Sequence, residues 1–191
     1  MRRIFLTLIF CLCATSVFAG PEIFLMASKK TSAVSPCPGY QSGNNCTWPA
    51  GTYTYTVPSG TTSINILAKG GGGGGNDDFC DTAGTGGDTT ITYLSVVKAT
   101  AFGGFGGGLS GDGTESGTLG SEVNTTGGGG AGGAGDTDCG SPAGNGGKVS
   151  GTLAVTAGNT VTVVVGSGGS ANNDGSGGAT NGADGSVVIT W

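Results

Sequence analysis

Residues Ser63–Gly75 read SINILAKGGGGGG, a strand-like run that passes without a break into six consecutive glycines. Ile64, Ile66 and Ala68 fall on one face at a period of two, as in a half-buried strand. The glycines that follow are not an ordinary continuation. Glycine costs about 1 kcal/mol per residue in a helix relative to alanine, and in a sheet it offers no side chain for cross-strand pairing. Two fates remain. One is a flexible linker. The other is extended polyproline-II-like backbone, with three residues per turn and every hydrogen bond made to neighbouring segments.

Three further glycine-dense stretches point to the second fate: Gly103–Gly108, Gly127–Gly135 and Gly166–Gly178. Each is flanked by alternating Thr/Val/Ile sequence. Trp48–Val57 (WPAGTYTYTV) reads as a strand, followed by a Pro58-Ser59-Gly60 turn. Asp88–Lys98 reads as the next strand, and Ser186–Trp191 as a terminal one. Lys148–Thr156 and Thr160–Val165, joined by Ala157-Gly158-Asn159, read as a hairpin-like pair. Thr31–Thr47, Asn76–Thr85, Leu109–Thr126, Asp136–Asn145 and Ser170–Asp174 read as loops. No window carries the i, i+3, i+4 pattern of an amphipathic helix. The expected fold is therefore all-β: short antiparallel strands framing a layered bundle of polyglycine-II helices, with no helix outside a leader.

That leader is residues 1–19. Arg2 and Arg3 precede an apolar stretch from Ile4 to Cys13, and Val17-Phe18-Ala19 has the small-residue pattern of a cleavage site. The stretch is too short to be a membrane span, and the pattern before Cys11 and Cys13 is not that of a lipoprotein. Residues 20–47 then form an N-terminal segment with a short disulfide loop, and 48–191 the glycine-rich domain. Nothing after the leader is long and apolar enough to cross a bilayer as a helix. The expected location is secreted, extracellular or at the cell surface, with the periplasm as an alternative.

Composition narrows the chemistry. The 191-residue chain carries a formal net charge of −5 and no His, and loss of the leader's two arginines takes that charge to −7 with no Arg left. A bidentate fork for phosphate or carboxylate is then missing, and so is the basic footprint of nucleic-acid binding. The commonest general base and metal ligand is missing as well. Four cysteines follow the leader: Cys37, Cys46, Cys80 and Cys139. An even count in an exported chain points to two disulfides. Cys37–Cys46 and Cys80–Cys139 are the favoured pairs, because the first brackets a short Pro/Gly/Asn loop.

Motif by motif, catalysis finds little support. Gly106–Gly111 satisfies GxGxxG by chance in a chain with 44 glycines, and precedes no helix. Gly147-Lys148 echoes a P-loop, but Val149 replaces the required Ser/Thr. Glu115 and Glu122 lie in featureless polar sequence, unlike a glycosidase pair. Asp77, Asp78, Asp81, Asp136 and Asp138 could gather oxygens for calcium, yet solvated loop charge explains them better, so no metal and no cofactor are expected. Phe79, Phe102 and Phe105 lie in or beside glycine-rich loops, where aromatics stack on sugars, dock a protein surface or cover the glycine layer. The binding candidates are thus Asp77, Asp78, Phe79, Phe102, Phe105, Asp136 and Asp138.

Taken in order, TYTYTVPSGTTSINILAKGGGGGG, GGKVSGTLAVTAGNTVTVVVGSGG and NGADGSVVITW resemble the glycine-rich domain family of phage tail adhesins and exported bacterial glycine-rich proteins. The resemblance covers Trp48 to Trp191. It implies a β-framework holding a bundle of polyglycine-II helices, with receptor-binding loops at the tip in the phage adhesins. This chain departs from them in its leader and its cysteines. The expected function is a non-enzymatic binding or adhesion module that recognises a cell-surface glycan or protein. The alternatives are a self-associating surface or matrix subunit, and an ice-binding protein.

Overall fold

The computed structural model describes residues 37, 39–76, 82–108, 111–134, 143–173 and 178–191. Residues 1–36 lie outside the described residues. Strands alternate between two faces wherever the sequence alternates, and two antiparallel sheets result. The first contains β1 (Tyr40–Ser42), β2 (Asn45–Trp48), β4 (Ser63–Lys69), β8 (Gly120–Thr125), β9 (Lys148–Ala154) and β11 (Ser186–Thr190), in the order β1-β2-β11-β4-β9-β8. The second contains β3 (Gly51–Thr56), β5 (Thr89–Tyr93), β6 (Val96–Ala101), β7 (Glu115–Gly117) and β10 (Thr160–Val165), in the order β3-β10-β5-β6-β7.

Their inner faces form one core. Ile64, Ile66, Val187, Ile189 and Val149 from the first sheet meet Tyr55, Ile91, Val161 and Val163 from the second. Trp48 stacks edge-on against Tyr55 at 5.8 Å between ring centroids, and Trp191 closes on Tyr55 at 5.7 Å. Burial pushes the Tyr55 phenol up to about 12. Cys37 and Cys46 are joined, with Cα atoms 5.7 Å apart, a separation that suits a disulfide. This bond fastens the chain's entry to β2. Because β2 pairs with β11, the disulfide loop belongs to the sheet itself. Cys80 and Cys139 lie outside the described residues.

Several sequence expectations change. Trp48–Val57 is broken at Pro49-Ala50 into β2 and β3, which lie in different sheets. Asp88–Lys98 folds back on itself as the β5–β6 hairpin, with Leu94 and Ser95 both at positive φ (51° and 61°), the backbone of a tight hairpin turn. Lys148–Thr156 and Thr160–Val165 do not pair with each other. β9 joins β4 and β8, whereas β10 joins β3 and β5, so their linker crosses between sheets. It is held by Val155 N–H to Thr62 and Gly158 N–H to Val57. Leu109–Thr126 contains β7 and β8, both edge strands, which need no buried alternation to be paired. Thr31–Thr47 likewise includes β1 and the start of β2, paired around Gly43-Asn44.

Eight of these strands, β4 to β11, each continue at one end into a glycine-rich segment. In chain order the segments are p1 (70–75), p2 (83–87), p3 (102–107), p4 (111–114), p5 (129–134), p6 (143–147), p7 (166–171) and p8 (180–185). The N–H groups of p1 show what they are. Gly70 and Gly73 donate to Gly147 and Gly144 of p6, and Gly71 and Gly74 to Gly87 and Gly84 of p2. Gly72 and Gly75 donate to Ala183 and Thr180 of p8. The partner thus changes with every residue and recurs every third, the signature of a threefold helix. The carbonyls repeat the pattern, accepting from p5, p3 and p7 in turn, and the bonds of p1 all fall between 2.7 and 3.0 Å.

Registers show p2, p6 and p8 to be antiparallel to p1, and p3, p5 and p7 parallel. The outer six also bond to one another in a closed ring, p2-p3-p6-p5-p8-p7, and p4 lies outside it against p3 and p6. The bundle is therefore hexagonal, with p1 at its centre and wholly buried. Ala83–Thr85 and Ala143–Asn145, expected in loops, belong to p2 and p6, as Ser170 belongs to p7.

Candidate functional site

The chain enters and leaves the bundle at its sandwich end, so the described ends of p1 to p8 away from the sheets lie together at the opposite end. Asn76 and Asn172 sit there as a parallel bridge, with Asn172 N–H donating to Gly75. Asp77, Asp78, Phe79 and Asp81 fall between p1 and p2 in the sequence, and Asp136 and Asp138 between p5 and p6. All of them lie outside the described residues. Among the described residues no three His, Cys, Asp or Glu side chains gather as a metal site. Glu115 lies on β7, half-buried, with one carboxylate oxygen lacking a hydrogen-bond partner.

The flank of the bundle is better defined. At its periphery, side chains replace missing backbone partners. The Asp88 carboxylate accepts from Gly103 N–H at 2.9 Å, Asp112 from Asn145 N–H at 2.7 Å, and Asp184 from Gly168 N–H at 2.8 Å. The Asn145 and Asn181 side-chain carbonyls do the same for Gly132 and Ala171, at 2.9 and 2.7 Å. Such side-chain acceptors let an outer helix end at solvent without orphaned donors.

No protein-family profile, curated protein or solved structure matches this chain. The site must be read from its own geometry.

Phe102 and Phe105 both belong to p3, three residues apart and therefore on one column of the threefold helix. They are 37% and 44% exposed, which makes them the bundle's only exposed large apolar side chains among the described residues. They lie along the side of the bundle, within a glycine helix rather than in a loop. A methyl group on Gly111 would touch the Phe105 ring, so this glycine leaves p4 low enough for the ring to lie over it. On the other flank, Thr82, Thr85 and Asp88 are all exposed and follow the same three-residue step along p2 and its ends. The antiparallel register is fixed by Gly86 N–H to Gly104 and Ala83 N–H to Gly107. It sets Thr85 level with Phe105 and Asp88 level with Phe102.

Sequence reasoning missed the Thr82/Thr85/Asp88 column. The signal was present as T-x-x-T-x-x-D, but it is visible only to a period of three.

A second surface feature lies at the other end of the molecule. A groove of about 450 Å³ runs between the β5–β6 turn and Asn159, lined by Thr92, Leu94, Ser95, Thr160 and Thr162 among others. Leu94, Val96 and Val97 are exposed beside it. Its lining holds no titratable group, and no chemistry follows from it.

Proposed function

We propose that the protein is an exported, non-enzymatic binding or adhesion module that presents surface groups on a rigid glycine-helix scaffold to a cell-surface glycan or protein. One observation carries this reading. The central segment of the bundle has every N–H bonded to a neighbouring segment, and the segments around it hold Phe102, Phe105, Thr82, Thr85 and Asp88 exposed on one flank. A platform of this kind serves presentation rather than turnover, since binding loops are commonly held by rigid frames. The disulfide at Cys37–Cys46 suits an oxidising compartment, and no helix among the described residues is long and apolar enough to cross a membrane.

The sheet edges favour this reading over self-association. β1 and β7 are three residues each, β8 carries a register shift, and β3 lies between Pro49 and Pro58. Each is a recognised way of discouraging edge-to-edge pairing.

The test is a binding screen of the folded, leader-free chain against whole bacterial cells and an immobilised glycan array. Binding that falls when Asp77, Asp78, Asp136 and Asp138 are all changed to Ala, or when the flank is altered as below, supports the proposal. Absence of binding to every cell and glycan, by a protein that melts cooperatively, overturns it.

A further inference from the structure

Resting on that reading, we infer that the flank of the bundle formed by p2, p3 and p4 is a binding face for a linear, β-linked polysaccharide, with Phe102 and Phe105 as its two stacking platforms. The geometry is the argument. Two exposed aromatic rings on one polyglycine-II column are separated by three residues, about 9 Å at roughly 3.1 Å per residue. That matches every second ring of an extended β-linked sugar chain. Both rings sit on the same straight rod, so they share one line.

The polar column runs parallel to that line. Thr82, Thr85 and Asp88 are exposed and keep the same step, with Thr85 beside Phe105 and Asp88 beside Phe102. A sugar chain presents apolar ring faces in one direction and hydroxyl edges in the perpendicular one. An aromatic column flanked by a hydroxyl and carboxylate column meets both at once. Asp88 accepts Gly103 N–H through Oδ1, which fixes the carboxylate at the height of Phe102.

The remaining surroundings suit a long, flat ligand. Gly111 keeps p4 low beneath the Phe105 ring, since a methyl group there would touch it. The backbone beneath is ordered, so the platforms lose little freedom on binding, a condition that favours affinity. With a net-acidic chain that has no Arg after the leader, a neutral polysaccharide is favoured over an acidic one. An apolar protein partner would gain nothing from the matched polar column.

The test uses the leader-free chain with cellohexaose and chitohexaose as probes, cellobiose as a short control and maltohexaose as an α-linked control. Calorimetry or affinity electrophoresis should show a β-linked hexamer binding at least about tenfold more tightly than the disaccharide, because two sugar rings cannot reach both platforms. Phe102→Ala and Phe105→Ala should each weaken binding about tenfold, and the double variant should abolish it. Thr85→Ala should weaken it about threefold. The rings are exposed and carry no part of the core, and an unchanged melting temperature verifies that each variant is folded. Binding that survives in the Phe102→Ala/Phe105→Ala double variant overturns this face while leaving the binding-module reading intact. Failure of the parent to bind either β-linked hexamer overturns this face as well, and cell binding by the same sample shows whether the broader reading stands without it.

Discussion

At the scale of single residues, Thr89 carries the junction between the two halves of the fold. It is fully buried and sits where β5 begins, beside the last residue of β4 and the first of p7. Its hydroxyl donates to the Lys69 carbonyl at 2.7 Å and accepts from Gly166 N–H at 3.0 Å. One side chain thus ties together three strands where they turn into glycine helices. Thr89→Val keeps the shape but removes both bonds, leaving a buried acceptor and a buried donor each short of a partner. The expected loss is about 2–6 kcal/mol, from roughly 1–3 kcal/mol per buried group left unsatisfied. Thr89→Ser, which keeps the hydroxyl, should lose about 1 kcal/mol or less, as for a single deleted methyl group. Urea unfolding of the two variants measures the difference, and a Thr89→Val protein as stable as the parent would remove this junction from the account.

Among the elements, the glycine helices are fixed by what cannot be added to them. A Cβ on Gly72 would run into the Ala131 carbonyl, one on Gly73 into that of Phe105, and one on Gly74 into that of Ser170. All three obstacles are backbone, which has no rotamer to escape into. Gly73→Ala should therefore destabilise by at least the roughly 1–3 kcal/mol typical of overpacking. Gly178→Ala is the control: it is exposed with nothing within 4 Å of a new methyl group, and its stability should stay within about 0.5 kcal/mol of the parent. Circular-dichroism melts of both variants decide the matter, and equal tolerance at the two positions would contradict the bundle.

The same elements show what could be read from sequence. Ser63–Gly75 declares both its strand and its helix, because period two in SINILAK and the loss of every side chain after Lys69 are local facts. β7 and β8 were illegible, since edge strands with solvent on their outer faces need no pattern. The β9–β10 linker looked like a hairpin turn because a turn and a sheet-to-sheet corner use the same residues. p2, p6 and p8 escaped notice because each mixes Ala, Thr, Asn or Asp with its glycines. Their outward columns tolerate side chains, and only the inward positions must be bare. For the candidate site, Phe102 and Phe105 were visible as aromatics among glycines, but their alignment with Thr85 and Asp88 depends on a register no sequence pattern states.

For the molecule as a whole, the question is whether the bundle could stand without the sandwich. Ordering a glycine costs about 1–2 kcal/mol of backbone entropy, and a hydrogen bond returns about 0.5–1.5 kcal/mol net. Each central glycine makes two bonds shared with neighbours, so the two contributions nearly cancel. The central segment has no side chain whose burial could tip the balance. The apolar core lies in the sandwich, where Ile64, Ile66, Val161, Val163, Val187 and Ile189 are buried, and its strands hold the ends of eight glycine segments in register. The bundle should therefore borrow its order from the sheets and be lost together with them. Native-state hydrogen exchange makes this measurable: the Gly71–Gly75 amides should exchange only through global unfolding, with the same opening free energy as the slowest amides of β4 and β10. Calorimetry should show one transition, its calorimetric and van't Hoff enthalpies equal. If the Gly71–Gly75 amides exchange freely while β4 and β10 stay protected, the glycine segments are tethers and not a scaffold. The flank carrying Phe102 and Phe105 would then have no fixed spacing to offer a ligand.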